Sequence, residues 1–328
     1  MIKIAIDAMG GDNAPFEIVK GVCIAAKDYQ SVEFFLVGNE NSINNCFKDF
    51  EKPSNVRIVH TESVVTMEDD PMIITKEKND CSMAVGLKML KNEECDGFLS
   101  AGSTGALHVG SSLIIRKIKG IRRSAIASMI PFENPVLLLD SGANTDVTED
   151  ILNQWAILGS TYMSKMYNID NAKVGLLNNG AEEHKGTFLY QNAHQVLKNN
   201  KLINFVGNIE SKELYKSPCD VLVADGFSGN ILLKSIEGMG KFLLGELKKV
   251  YTKNAKTKLS YLMVKNDIVS LKNNFDASSY GGAPLLGLNK PVVKAHGSSK
   301  HKDIVSAIRQ LHTYIESGII EKVANELS

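Results

Sequence analysis

The amino-acid sequence predicts an α/β protein built on a mostly parallel sheet, and three observations carry that prediction. Short apolar runs alternate with segments of helical period, most of the runs end in a cluster of Gly, Asp or Asn, and the alternation holds from the first residues to about position 240. Runs this apolar belong to strands covered on both faces, the setting of a parallel sheet between helix layers.

In order, the strand-like runs fall at 2–6, 33–37, 56–59, 97–99, 125–130, 136–139, 174–177, 203–206 and 221–224. The clusters that close them lie at 7–12, 100–105, 140–144, 178–180, 207–208 and 225–230. Ligands of open α/β sheets bind outside the carboxyl ends of the strands, where helix N-termini offer free N–H groups to anions. These loops therefore predict one composite anion site. The rhythm stops between Gly240 and Asp276, where Lys241, Lys248, Lys249, Lys253, Lys256, Lys258, Lys265 and Lys272 face only Glu246 and Asp267. That stretch, 241–276, reads as a basic amphipathic helical pair inside a single domain spanning 1–328.

Composition narrows the function. At 328 residues, 44% hydrophobic and 23% charged, the chain is neither disordered nor fibrous. Lys plus Arg total 37, as do Asp plus Glu, so no global field draws in a nucleic acid. Cys23, Cys46, Cys81, Cys95 and Cys219 show neither a CxxC pair nor zinc-finger spacing, which predicts reduced, structural thiols and a cytoplasmic protein. Met1 runs straight into a strand-like segment without the features of a signal peptide, and no apolar stretch is long enough for a membrane span. Attachment to a membrane surface stays open.

The motifs sharpen the anion site. In DAMGGDNAP (7–15), Gly10 and Gly11 permit a tight turn, and Asp12 or Asn13 is expected to cap a helix beginning near Pro15. Carboxylates repel a bare phosphate, so Asp7 and Asp12 are assigned to loop organisation; a plain capped turn is the simpler alternative. In SAGSTGA (100–106), Gly102, Ser103, Thr104 and Gly105 offer hydroxyls and N–H groups to an oxyanion. The Gly-Lys-Ser/Thr ending of a P-loop and the GxGxxG dinucleotide fingerprint are both missing. Asp140 to Asn144 and Asp225, Gly226 to Asn230 form two similar strand-end turns, each open to reading as a simple Asx turn. Asn230 and Lys234 lie four apart and share a helix face.

Lys185, in LLNNGAEEHKG (176–186), is the strongest single cation for phosphate or for developing negative charge. The ordinary alternative is a solvated helix start in which Glu182 and Glu183 favour the dipole. His296 and Ser298, in HGSS (296–299), follow the apolar Val292 and Val293 and suit contact with phosphate or a thioester; His60, His108, His194, His301 and His312 are read as structural. No Ser-His-Asp or Cys-His pattern emerges. Transfer from a thioester to phosphate needs none, because phosphate is already anionic and a thiolate leaves readily, so positioning and oxyanion stabilisation suffice.

Taken together, DAMGGDNAP (7–15), SAGSTGAL (100–107), LLDSGANTD (138–146), FVGNIE (205–210), DGFSGNILLKSIEG (225–238), YGGAPLLGL (280–288) and HGSS (296–299) resemble the phosphate acyltransferases of bacterial phospholipid synthesis. The resemblance implies conversion of long-chain acyl-acyl-carrier-protein and inorganic phosphate to acyl-phosphate, with no metal or redox cofactor. A membrane acyltransferase would then use that product to acylate glycerol 3-phosphate. It also implies a three-layer α/β/α fold of two intertwined lobes, similar to phosphotransacetylases and to isocitrate or isopropylmalate dehydrogenases, usually as a homodimer. Peripheral attachment to the inner face of the cell membrane, through the basic helical pair, is a further implication.

Lys258, Lys265 and Lys272 with Leu259, Leu262, Met263, Ile268, Val269, Leu271 and Phe275 suit that attachment; dimer packing or docking of the acidic carrier are the other uses. Within the site, Lys185, Asn230 and the 102–105 backbone are expected to hold phosphate, with Asp140, Asn144, Asp225 and Gly226 around it. His296 and Ser298 are expected at the thioester carbonyl or phosphate. Ser103, Asn179 to Ala181 and Ser228 depart from the family's usual wording. The alternatives are a short-chain acyl-CoA phosphotransacetylase, a nicotinamide-dependent decarboxylating dehydrogenase and a non-catalytic membrane-surface scaffold.

Overall fold

Strand alternation explains the layers. Along β1 (Ile2–Asp7), Ile4 and Ile6 point into one core while Ala5 points into another; Leu99 and Phe98 of β4 (Gly97–Ser100) divide the same way. Both faces therefore need cover. In this computed structural model, which describes residues 1–274 and 277–326 without the side chains of 271–278, helices supply it on each side.

One core packs α1 (Phe16–Asp28), α5 (Glu149–Tyr167) and α9 (His301–Glu316) on one face, with Trp155 and Tyr162 fully buried. The opposite face is covered by α3 (Ser82–Lys91) and α4 (Thr104–Gly110) over one half of the sheet. Over the other half, the base of α7 (Gly226–Thr252) does so through Leu232, Leu233 and Ile236. The result is the α/β/α sandwich.

The remaining strands are β2 (Val32–Gly38), β3 (Val56–His60), β5 (Ala125–Ile130), β6 (Val136–Leu139), β7 (Lys173–Asn178), β8 (Asn204–Glu210), β9 (Val221–Val223), β10 (Ala283–Leu286) and β11 (Val292–Lys294). They join in the order β3-β2-β1-β4-β11-β10-β5-β6-β9-β7-β8. Pairing is parallel except where β10 meets β11 and β5, and where β5 meets β6. Those reversals make the two outer sets of strands run in opposite directions.

Register then places their carboxyl ends at nearly one level. Lys294 lies opposite Ala283, Leu285 opposite Ile126, and Ala127 opposite Leu139. The loops after β1, β4 and β11 thus approach the middle of the sheet from one side, and those after β6 and β9 from the other.

Four sequence expectations need correction. Residues 207–208 do not end a strand: β8 continues to Glu210, absorbing Gly207 (φ 100°) where its register with β7 shifts. Neither Asp12 nor Asn13 caps α1, which begins at Phe16 behind Pro15 without a side-chain cap. β10 and β11, in the middle of the sheet, were not separable as strands by pattern. Finally, the projecting pair does not begin at 241: α7 is one helix from Gly226, about 40 Å long at the usual rise, and α8 (Ala255–Asn274) folds back on it.

Candidate active site

Three loops interlock at the ends of β1, β4 and β11. The buried Asp7 carboxylate accepts from Ser82 Oγ and Ser100 Oγ, each at 2.7 Å, and from the Met9 amide at 3.2 Å. Burial raises the acid's pKa, and those hydroxyls and amides pull it back down. Gly10 is required here, since a Cβ would meet Asp7 Oδ2 at 2.5 Å and the Gly102 amide nitrogen at 2.7 Å. The Asp12 amide donates to the Gly297 carbonyl at 2.8 Å. Asn13, free of capping duty, donates from Nδ2 to the carbonyls of Ser298 and Ser299 at 3.1 and 3.2 Å. The DAMGGD, SAGSTG and HGSS segments are one unit.

At its centre stands a residue that sequence reasoning missed. Lys294 ends β11, only 7% exposed, and its Nζ donates to the Ala101 carbonyl at 3.2 Å and to the Ala295 carbonyl. Burial pushes its pKa down from 10.5 to about 8, while Asp7 and Asp12 pull it back up and Lys234 opposes them. A lysine closing an apolar run reads as solvent-facing, so only an assembled structure exposes this role. The His296 Nδ1 accepts the Ser298 amide at 3.2 Å, which places any single ring proton on Nε2. Partial burial, then Lys234, lowers the ring's pKa.

A second unit forms at the ends of β6 and β9. The fully buried Asp140 accepts from the amides of Ile126, Gly142, Ala143 and Asn144 and from Asn144 Nδ2. Such a carboxylate builds a turn and has few lone pairs left for a ligand. Asn144 Nδ2 also donates to the Ser124 carbonyl, and the Gly226 amide donates to the Asn144 carbonyl at 2.7 Å. Asp225 caps α7, accepting from the Ser228 amide at 2.8 Å, and receives the Tyr190 hydroxyl. Gly229 is indispensable: a Cβ would lie 2.0 Å from the Asp140 carbonyl oxygen. Gly142 faces Asn230, whose exposed side chain forms no hydrogen bond among the described residues.

Of the expected phosphate ligands, Ser103 is committed to capping α4 at the Ala106 amide, whereas Thr104 and Gly105 are exposed. Lys185 is exposed, with its stem over Gly180; among the described residues its Nζ has no hydrogen bond or ion pair. It lies five residues before Tyr190, the residue that ties α6 (Phe188–Asn199) to Asp225. No hydrogen bond joins the side chain of Lys185 to Asn230 or to residues 102–105 among the described residues. What connects the two units is α7, whose Lys234 acts electrostatically on both Lys294 and His296.

The outer parts of α7 and α8 stand apart from both units. Lys258, Leu259, Leu262, Met263 and Lys265 are exposed and Ile268 is half-buried, while the side chains of Leu271 and Lys272, and residue Phe275 altogether, lie outside the described residues. The helix α8 is not simply amphipathic. Tyr261, Val264 and Ile268 are partly covered, with Tyr261 against Tyr251 of α7, and Leu259, Leu262, Met263 and Val269 form a second, open apolar face.

Comparison with known proteins gives the family and the fold. Residues 2–322 match the family of the fatty acid synthesis protein. The chain belongs to that family. The phosphate acyltransferase of Thermoanaerobacterium thermosaccharolyticum is 46% identical over 99% of this chain and 97% of its own length. That of Enterococcus faecalis is 41% identical over 98% and 97%. This family member is accordingly an enzyme, an acyltransferase of lipid biosynthesis.

Solved structures with the same fold include a phosphotransacetylase from Streptococcus pyogenes, with a TM-score of 0.64 and 17% identity over 96% of this chain and 94% of that one. A branched-chain phosphotransacylase from Enterococcus faecalis has a TM-score of 0.56 and 14% identity over 95% and 99%. At such identities the likeness concerns the fold alone, so the short-chain alternative fits only distantly. No helix among the described residues is long and apolar enough to cross a membrane.

Proposed function

We propose that this enzyme transfers a long-chain acyl group from acyl-acyl-carrier-protein to inorganic phosphate. A phosphate oxygen attacks the thioester carbonyl, the C–S bond breaks, and the carrier leaves as a thiolate that takes up a proton. The observation that carries this reading is the pairing of two loop units with cations in and around them: Lys294 at the centre of the first, Lys234 between the two and Lys185 five residues from the tyrosine that ties α6 to the second. Preorganised charge and N–H groups of this kind favour an anionic nucleophile and an oxyanion.

In this reading Lys185, Asn230 and the backbone of 102–105 hold phosphate. The exposed Nζ of Lys185 and the unbonded amide of Asn230 are free to take a ligand. His296, with its proton on Nε2, and Ser298 face the thioester carbonyl or the phosphate. Asp140, Asn144, Asp225 and Gly226 shape the pocket, and Asp7, Gly10, Gly11 and Asp12 fix the opposing loops. The reaction itself calls for no metal or redox cofactor.

The protein acts as a homodimer at the inner face of the cell membrane, held there by Lys258, Lys265 and the open apolar face of α8, and passes acyl-phosphate to a membrane acyltransferase. Apolar side chains in an exposed row beside lysines support interfacial attachment. The test is to incubate purified protein with phosphate and long-chain acyl-carrier, long-chain acyl-CoA or acetyl-CoA, trapping acyl-phosphate with hydroxylamine. Product from the long-chain carrier is expected; product from acetyl-CoA alone would favour the short-chain alternative, and none from any donor would refute the proposal.

A further inference from the structure

The segment from 97 to 132 contains no Asp or Glu, yet within it Arg116, Lys117, Lys119, Arg122 and Arg123 crowd into eight residues. Lys117 is half-buried and the other four are exposed. Only Arg122 has an ion pair among the described residues, with Asp150 at 2.9 Å. Five like charges so close repel one another, and an unneutralised cluster of this kind steers an anionic partner.

The loop is also held rigidly. Ile118 and Ile121 are buried beneath it, and the Ile118 amide donates to the Gly287 carbonyl at 3.0 Å. Arg116 sits at φ 66°, an unusual value for a residue with a side chain, with its amide on the Ser111 carbonyl and its carbonyl on the Asn289 amide. Gln154 brackets the far end, accepting from the Arg122 amide and donating to the Gly120 carbonyl. Trp155 Nε1 donates to the Arg123 carbonyl at 2.9 Å. The next residue, Ser124, receives Asn144 Nδ2, so the cationic loop ends on a turn of the candidate site.

Resting on the acyl-transfer reading, we propose that this loop, 116–123, is the surface on which the acidic carrier protein docks. Charge and position both favour a protein over a lipid surface. Stable interfacial attachment needs apolar anchors beside the cations; here Ile115, Ile118 and Ile121 are buried and Leu113 alone is a strongly exposed apolar neighbour. The apolar anchors sit on α7 and α8 instead. A carrier docked beside the turn at 140–144 brings its acyl thioester close to the candidate site.

The test compares wild type with the full-length triple variant Arg116→Glu, Lys119→Glu, Arg123→Glu, leaving the Arg122 ion pair intact. The Michaelis constant for acyl-carrier should rise about tenfold or more, with kcat at saturating donor and the Michaelis constant for phosphate unchanged. Co-sedimentation with anionic phosphatidylglycerol vesicles should also be unchanged. An unaltered constant for acyl-carrier overturns the proposal. So does a raised constant for phosphate, which would place the loop in the site, a loss of vesicle binding instead, or a changed oligomeric state. Should the triple variant not fold, the corresponding Gln variants and the salt dependence of the wild-type constant decide. A wild type that makes no acyl-phosphate refutes the acyl-transfer reading, whereas an active wild type with an indifferent variant refutes only the docking.

Discussion

The strand-end loops and the projecting helices use their side chains in opposite ways. At the loops, Asp7, Asp140 and Asp225 bury carboxylates whose acceptor capacity is filled by hydroxyls and amides, some from the same turn and some from distant parts of the chain. On outer α7 and α8, Met239, Phe242, Leu243, Leu259, Leu262 and Met263 are exposed apolar groups. The first region is determined by internal satisfaction, and the second is incomplete until something covers it. The proposed function assigns phosphate and thioester handling to the former and membrane attachment to the latter.

The largest expected effect separates the two functions. Lys185→Ala should lower acyl-phosphate formation by about 100-fold or more while leaving the thermal transition unchanged, because its ammonium supports no other group among the described residues; parallel rate and unfolding measurements check both halves. Next, Gly229→Ala should cost about 3 kcal/mol or more of stability, since backbone rather than a mobile side chain blocks the new methyl. A urea titration showing a near-neutral change would mean that the 140–144 turn is not held as described.

Lys294 gives a pH test of intermediate size. Its folded pKa of about 8 lies below the ordinary lysine value of 10.5, so between those pH values the unfolded chain binds more protons than the folded one. Unfolding free energy must therefore rise with pH across that window by about 3 kcal/mol at most from this group. The rise should vanish in Lys294→Met, as denaturant titrations from pH 7 to 10 would show. The smallest effect on folding belongs to the helices: Leu262→Asp with Met263→Asp should change stability by no more than about 0.5 kcal/mol. The same pair should abolish vesicle co-sedimentation and spare turnover in solution. Retained vesicle binding would move attachment elsewhere on the molecule.

Legibility followed the range of the interactions. β5 and β6 were readable because 125–130 and 136–139 are short, apolar and punctuated, and the observed strands have those same bounds. β10 was not, because it is four residues long with Pro284 inside it, a residue that lacks an N–H and argues against a central strand. Its place is set by neighbours on both sides, which no local pattern reveals. Asn13 shows the same limit: locally it is a helix cap, yet its amide is taken by carbonyls at 298 and 299. The strand-end loops were legible as candidate ligand positions, whereas Lys294, Tyr190 and Ser82 become visible only when sequence-distant groups meet.

The most direct test of acyl transfer at this site uses phosphate labelled in all its oxygens with heavy oxygen, long-chain acyl-carrier and the purified enzyme. Mass analysis of the product should find acyl-phosphate that retains every labelled oxygen, including the one bridging to the acyl carbon. Consumption of the thioester with only free fatty acid formed, or acyl-phosphate lacking the label at the bridge, would contradict attack by phosphate.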